Sequence, residues 1–560
     1  MSNHEALAET HHADVILGPN PIVGFRARDV LREGARAIRL ALRQPKLTAA
    51  VAREIGAEWW KAAHGESTLS PPATDRRFAD AEWMDNPRYR AWVQVYLAWV
   101  GGVHQWIDGQ PDISKFSRAR LEFLSSLVND AIAPSNFPWQ PEALRKFRDT
   151  GGASARAGLR NFWHDIRENR GLPAQVDTSK FKVGDNLACT EGAVVMRSEV
   201  LELLQYTPTC TQAHSVPLLI VPPQINKYYV FDLSPEKSVV RGLLHAGFQV
   251  FVVSWRNPDA EHAHWGLAEY AAGIELAVSV ACSITGQTKV NLLGACAGGI
   301  TLAAFAAARL AVGDTRINSL SLLVNVLDTD ALGDTGLGIF TSPRAIEGAK
   351  RLSKSKGFLD GKDMATAFAW LRPNDLIWSY WVNNILLGNP PPAFDVLYWN
   401  NDGTRLPARL HCEFLDIYKS NALTQPGALR LQGMPVDLGR IQCDNYIVSG
   451  ITDHITPWMA CYRSTQLLGG DSTFVLSRSG HIQSILNPPG NPKSAFWVGA
   501  AVGPSAEEWH QHSELRAGSW WPHWHQWLAQ RSGPKVAVAA TVGNADYPAQ
   551  DAAPGTYVRA

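Results

Sequence analysis

The chain has 560 residues, and its 52 Lys+Arg are balanced by 52 Asp+Glu, so it is long enough for two or more domains and carries no global charge that would recruit nucleic acid or acidic lipid. Its seven cysteines, at 189, 210, 282, 296, 412, 443 and 461, are odd in number and include no CxxC pair, which reads as reduced thiols rather than a disulfide framework or zinc site. Met1-Ser2-Asn3-His4-Glu5 opens no secretory signal, and no run approaches the roughly 18 apolar residues of a membrane span, so a soluble cytoplasmic protein without a transmembrane segment is expected.

Before about residue 200 the apolar spacing is helical and strand-like runs are few. Asp29 to Arg43 is the clearest case: Leu31, Ala35, Ile38 and Leu42 repeat at helical spacing beside Arg28, Arg32, Arg36, Arg39 and Arg43. Such a helix fits a lipid- or polymer-water interface, and equally a solvated basic face packed on its own domain. Breaks are expected at 133–141, rich in Pro and aromatics, and at Asn169-Arg170-Gly171-Leu172-Pro173. From about Glu202 the pattern changes. Leu218-Leu219-Ile220-Val221, Phe248 to Val253, Lys289 to Leu293 and Leu320 to Val324 read as buried strands separated by helical crossovers, which implies a parallel sheet with helices on both faces.

The strand ending at Leu293 runs into Gly294-Ala295-Cys296-Ala297-Gly298 and then into an Ala-rich helical run. A G-x-[SC]-x-G match this short arises by chance in roughly one in four or five chains of this length. Strand, tight turn and helix together are what a nucleophile elbow requires, with sulfur in place of oxygen. A thiolate exchanges one thioester for another at little cost, so the chain reads as an acyl transferase before a lipase. A base and an orienting acid follow in the order that α/β-hydrolases use. Asn445 to Gly450 is a strand leading to Asp453, and Thr473 to Leu476 is a strand leading to His481. His454, beside Asp453, is a candidate auxiliary residue. For an oxyanion hole, the N–H of Ala297 and a donor at Gln224 or Ile225 in the loop after Val221 are the candidates.

Between about 328 and 443 lies an insertion that the sheet does not need, with Trp370, Trp378, Trp381 and Trp399 prominent. An insertion here is expected to cap the active site and keep water from an acyl thioester. Gly336-Leu337-Gly338 supports no nucleotide site, and Trp520 to Leu528 reads as core packing of a final helix. The Ala/Gly/Pro-rich tail after about 532 is expected to be loosely ordered. The fold class is thus an α/β-hydrolase core with a cap insertion, residues 201–560, preceded by a mainly helical domain, residues 1–200, as the platform for granule, partner or dimer contacts.

The Cys-containing lipase-like box, the run Asp453-His454-Ile455-Thr456-Pro457-Trp458 and Ser479-Gly480-His481-Ile482 together resemble the polyhydroxyalkanoate synthases. Further segments typical of that family are Pro222 to Tyr229, Ser254-Trp255-Arg256-Asn257-Pro258 and Ser484 to Gly490, so the likeness spans nearly the whole chain. Length, the opening segment and Gln224 make it similar to the class II, medium-chain-length branch. That branch commonly has Ser after the nucleophile where Ala297 stands here, a departure that bears on substrate range rather than on the nucleophile. The resemblance implies (R)-3-hydroxyacyl-CoA as substrate, CoA as leaving group rather than cofactor, a growing polyester chain, a granule surface with its associated proteins, and a homodimer. It also implies catalysis by Cys296, Asp453 and His481, with no metal. A Cys-dependent thioesterase or polyester hydrolase of the same fold is the alternative, and a non-catalytic granule-coat protein is a weaker one.

Overall fold

A computed structural model describes residues 27–111, 113–332, 343–539 and 541–560; Gly336-Leu337-Gly338 lies outside them. The chain divides into two compact units, one of residues up to Thr178 together with Thr366–Phe394, the other of Ser179–Ala365 and Asp395–Ala560.

The first unit is helical. Its helices include α1 (Ala27–Arg43), α2 (Pro45–His64), α3 (Pro87–Asp108), α4 (Lys115–Ala131), α5 (Pro141–Asp149) and α6 (Ala153–Glu168). The expected 133–141 break falls between α4 and α5, where Gln140 caps α5 by accepting from Glu142 N. In helix α1 Glu33 is buried and pairs with Arg36 and Arg120, while Leu31, Ile38 and Leu42 are exposed. The basic amphipathic helix read from the sequence therefore presents its apolar stripe to solvent.

Thr366–Phe394 belongs to this unit, which revises the expected boundaries of 200 for the helical domain and 328–443 for the cap. Gly158 of α6 lies so close to the segment that a Cβ there would sit 1.9 Å from Ile385 O. Asn161 Nδ2 donates to the carbonyls of Asn384 and Asn389, Asn384 Nδ2 to Ala174 O, and Trp381 Nε1 to Asn136 O. These backbone carbonyls would lose their partners if the segment left the helices. Trp370, Trp378 and Trp381, expected over the active site, accordingly lie in the helical unit.

The second unit is built on ten strands: β1 (Gly192–Arg197), β2 (Leu201–Tyr206), β3 (Leu218–Val221), β4 (Val250–Trp255), β5 (Val290–Ala295), β6 (Ile317–Leu323), β7 (Asn445–Gly450), β8 (Ser472–Ser477), β9 (Ala495–Ala500) and β10 (Glu514–Ala517). Their spatial order is 1-2-4-3-5-6-7-8-9-10. Strands β3 to β8 are parallel to one another, β2 joins β4 and β9 joins β8 antiparallel, and the β1-β2 and β9-β10 pairs extend the two edges antiparallel. The parallel strands read as continuous apolar runs because helices cover both faces: Leu219 and Val221 of β3 face one apolar cluster, and Leu218 and Ile220 face the other. This is the α/β-hydrolase arrangement. Its first strand starts at Gly192, because Gly192 pairs with Tyr206 across the β1-β2 hairpin.

Two further expectations change. After the short helix α7 (Val239–His245), helix α8 (Leu267–Thr285) is long and apolar enough, by length and composition alone, to cross a membrane. Leu267, Tyr270, Ile274 and Val278 are buried in the core cluster, so its Ala/Val-rich composition reflects packing of a crossover helix onto the sheet. The tail is also held. Lys535–Ala537 pairs with Gln212–His214, Gln550 N donates to Val194 O, and buried Glu202 accepts from the backbone of Thr556 and Tyr557. Its Ala/Gly/Pro composition suits a chain laid along β1 rather than a free end. Trp520, Trp521, Trp524 and Trp527 are buried as expected, and Trp524 Nε1 donates to Ser321 Oγ.

Candidate active site

Strand β5 ends at Ala295, and helix α9 (Cys296–Leu310) starts at the next residue. Cys296 is held at φ +47°, the left-handed region that a non-glycine residue avoids, so the turn projects its side chain sharply from the sheet's C-terminal edge. The glycines explain why the turn closes. A Cβ on Gly294 would lie 2.8 Å from Gly299 Cα, and one on Gly298 would lie 2.4 Å from Pro222 O. Asn325, at the end of β6, donates from Nδ2 to Cys296 O at 2.8 Å and braces the strained residue.

Asp453 follows β7, and His481 opens the short helix after β8. His481 Nδ1 donates to Asp453 Oδ2 at 2.7 Å. The carboxylate is held by more than the histidine: Asp453 Oδ1 accepts from Ile455 N (2.8 Å) and Thr456 N (2.9 Å), and Oδ2 accepts from Thr456 Oγ1 (2.7 Å). Thr456 Oγ1 also lies 3.1 Å from His481 Nδ1. Burial disfavours the charged imidazolium, yet the Asp453 carboxylate and a hydrogen bond and charge from Cys296 outweigh it and raise the His481 pKa to about 10. For Asp453, burial favours the neutral acid, but His481 and the Thr456 donors hold its pKa below the ordinary carboxylate value. The structure brings Cys296, His481 and Asp453 together. His454 is half-buried at the neighbouring loop position.

Burial pushes Cys443 up to about 11 and Cys461 up to about 12, and raises Cys189, Cys282 and Cys412 as well. Among the described residues no group of three or more His, Cys, Asp or Glu converges as metal ligands would.

The loop after β3 lies directly against the elbow, because Gly298 packs on Pro222 O. Ala297 and Ile225 are both half-buried there. Gln224 Nε2 donates to Thr301 Oγ1 (2.9 Å), which in turn donates to Ala297 O (3.2 Å), tying the loop to the first turn of α9. The part of the insertion that stays with the sheet rests on this same loop. Trp399 Nε1 donates to Lys227 O at 2.7 Å, Thr404 N to Ile225 O at 3.2 Å, and Thr404 Oγ1 to Gln224 O. Thr456, Asn325 and Thr404 were not singled out from the sequence. Thr456 stands in the 453–458 run already noted, whereas nothing local marks Asn325 or Thr404.

The fold and this geometry define an α/β-hydrolase-fold protein with a Cys-His-Asp constellation in place of a serine triad. Comparison with known proteins agrees and goes further. Residues 217–488 match the alpha/beta hydrolase fold family, and residues 74–243 match the family described as poly-beta-hydroxybutyrate polymerase (PhaC) N-terminus. The chain is 48% identical over 542 residues to poly(3-hydroxyalkanoate) polymerase 1 of Ectopseudomonas oleovorans, covering 97% of this chain and 96% of that one. It is 47% identical to polymerase 2 of the same organism, covering 96% of each chain. It is 42% identical to the poly(3-hydroxyalkanoate) polymerase subunit PhaC of Cupriavidus necator, covering 91% of this chain and 87% of that one. The chain belongs to the polyhydroxyalkanoate synthase family, of the class II type, and is an acyltransferase.

Proposed function

We propose that this enzyme polymerises (R)-3-hydroxyacyl-CoA, of medium chain length, into polyester through an acyl-enzyme on Cys296. The observation that carries the reading is the strained Cys296 at the strand end, beside a histidine oriented by a buried carboxylate. His481 accepts the Cys296 proton, and the resulting thiolate attacks the thioester carbonyl. Negative charge develops on that carbonyl oxygen, where the N–H of Ala297 and a donor at Ile225 stabilise it. Collapse of the adduct breaks the carbon–sulfur bond to CoA, and the proton on His481 leaves with the CoA thiol. His481, again neutral, takes the proton of a 3-hydroxyl as that oxygen attacks the acyl-enzyme, forming an oxoester and regenerating the sulfur of Cys296.

A thioester is converted to an oxoester at each addition, so elongation runs downhill and needs no metal or cofactor; CoA enters only as part of the substrate. The Asp453 carboxylate stabilises the protonated His481 that forms in each proton transfer. The exposed stripe of α1 fits the surface of a cytoplasmic polyester granule, shared with granule-associated proteins, and a homodimer is the proposed assembly. Purified enzyme given (R)-3-hydroxydecanoyl-CoA is expected to release thiol and form polymer. Thiol release with only free hydroxy acid would make it a thioesterase.

A further inference from the structure

The stretch 399–405 of the insertion meets the loop after β3 through the backbone oxygens of that loop. Gln224 O accepts from Thr404 Oγ1, Ile225 O from Thr404 N at 3.2 Å, and Lys227 O from Trp399 Nε1 at 2.7 Å. The stretch is itself held on several sides. Asp402 accepts from Tyr229 OH at 2.8 Å and lies 3.0 Å from the ammonium of buried Lys227. Arg405 N donates to Asn257 Oδ1 at 3.0 Å, and a Cβ on Gly361 would lie 2.7 Å from Thr404 O. Thr404, itself buried, is therefore a fixed point against which the loop is set.

The consequence falls on the peptide that joins Gln224 to Ile225. It is a trans peptide, so its C=O and its N–H point in opposite directions. A hydroxyl that holds Gln224 O from the insertion turns the Ile225 N–H to the other side. Among the described residues that N–H meets no acceptor, although Ile225 is half-buried and buried amides are ordinarily paired. An unpaired donor on the loop that packs against the nucleophile's turn is what a developing oxyanion needs. We propose that Thr404 is a positioning residue for acyl transfer: its hydroxyl, by holding Gln224 O, aims the Ile225 N–H at the oxyanion. The inference rests on the acyl-enzyme reading and on the Ile225 donor within it, and adds that the insertion supplies a working part of the site. Without the hydroxyl, Gln224 O is left unpaired in a buried place, and the peptide gains by rotating toward another donor. The Ile225 N–H rotates with it.

The test uses the full-length enzyme with Thr404→Val, which keeps the shape of the side chain, and Thr404→Ser, which restores the hydroxyl. Three readouts separate the aim of the donor from damage to the nucleophile. The first is thiol release from (R)-3-hydroxydecanoyl-CoA. The second is reversible inhibition by decanal, in which Cys296 Sγ bonds to the aldehyde carbon and the thiol proton passes through His481 to the aldehyde oxygen, held where the oxyanion forms. The third is alkylation of Cys296 by iodoacetamide, in which sulfur displaces iodide from a saturated carbon and no oxyanion arises. Thr404→Val is expected to lower kcat at least about tenfold with KM little changed, a partial form of the roughly 100- to 1,000-fold loss on deleting an oxyanion donor. Its inhibition constant for decanal is expected to rise by a similar factor, while the alkylation rate and the circular dichroism match wild type. Thr404→Ser is expected to recover both kcat and decanal inhibition.

Unchanged kcat and decanal inhibition in Thr404→Val would overturn the proposal. So would an equal loss in alkylation, which would place the damage at the thiol, or a Thr404→Ser that stays as impaired as Thr404→Val. If wild type neither releases thiol nor is inhibited by decanal, the acyl-enzyme reading fails and takes this inference with it. If wild type does both and Thr404→Val behaves alike, only this inference fails.

Discussion

Replacing Thr456 with valine keeps the shape of a buried side chain and removes one hydroxyl. That hydroxyl donates to Asp453 Oδ2 at 2.7 Å and lies 3.1 Å from His481 Nδ1, while two backbone N–H groups still hold Oδ1. The carboxylate stays in place but loses a charge-assisted donor on the oxygen that orients the histidine. Such a bond contributes about 1.5–3 kcal/mol. If its full effect falls on the step in which His481 moves a proton, the rate drops about 10- to 150-fold. The assay is the initial rate of thiol release against substrate concentration, with far-UV circular dichroism to confirm folding. The expected result is a lower kcat with KM little changed, and recovery with Thr456→Ser, which restores the hydroxyl. Unchanged kcat in Thr456→Val, or an equal loss in Thr456→Ser, would refute the assignment of Thr456 as the residue that positions the acid and base.

Gly298→Ala places a Cβ 2.4 Å from Pro222 O, a backbone atom that moves only with the whole loop after β3. Activity is expected to fall by at least about 100-fold while the fold survives at a cost of about 1–3 kcal/mol, read by thiol release and urea melts. Asp453→Asn tests the electrostatics through pH. The raised His481 pKa stabilises the fold fully below the unfolded value of 6.5 and is lost as pH rises through about 10, and the lowered Asp453 pKa stabilises above 3.8 and is lost as pH falls through its folded value. The stability advantage of wild type over Asp453→Asn is therefore expected to be greatest between about pH 4 and 6.5 and to shrink toward pH 10, as read by melts across that range. Trp399→Phe removes the donor to Lys227 O beneath the insertion and is expected to cost about 1 kcal/mol and to raise the ratio of hydrolysis to polymerisation.

The site was legible where its signal is local. Gly294 to Gly298 carry their reason in backbone sterics, and Asp453 and His481 each follow a strand whose apolar run marks its end, so chain order and topology sufficed to place the three residues at neighbouring strand ends. What escaped depends on packing between distant segments. Asn325 matters because its amide reaches Cys296 O across two neighbouring strand ends, and an asparagine after a strand looks the same without that reach. Thr404 matters because the insertion happens to rest on the loop after β3. The insertion itself was visible as an excess over the sheet, but its division was not: the helical unit claims 366–394 through Gly158 and Asn161, whose small side chain and amide have no meaning until the segment is beside them. Composition misled at the tail, where Ala, Gly and Pro permit a close-lying edge chain as readily as a loose one.

The central claim is that Cys296 carries the acyl group. Decanoyl-CoA lacks the 3-hydroxyl needed for elongation, so wild type incubated with it and quenched in acid is expected to show one decanoyl group on the peptide containing Cys296, with an equal amount of CoA released, by intact and peptide mass spectrometry. Cys296→Ala is expected to show neither. Decanoyl on another residue, or CoA release with equal yield from Cys296→Ala, would contradict the account.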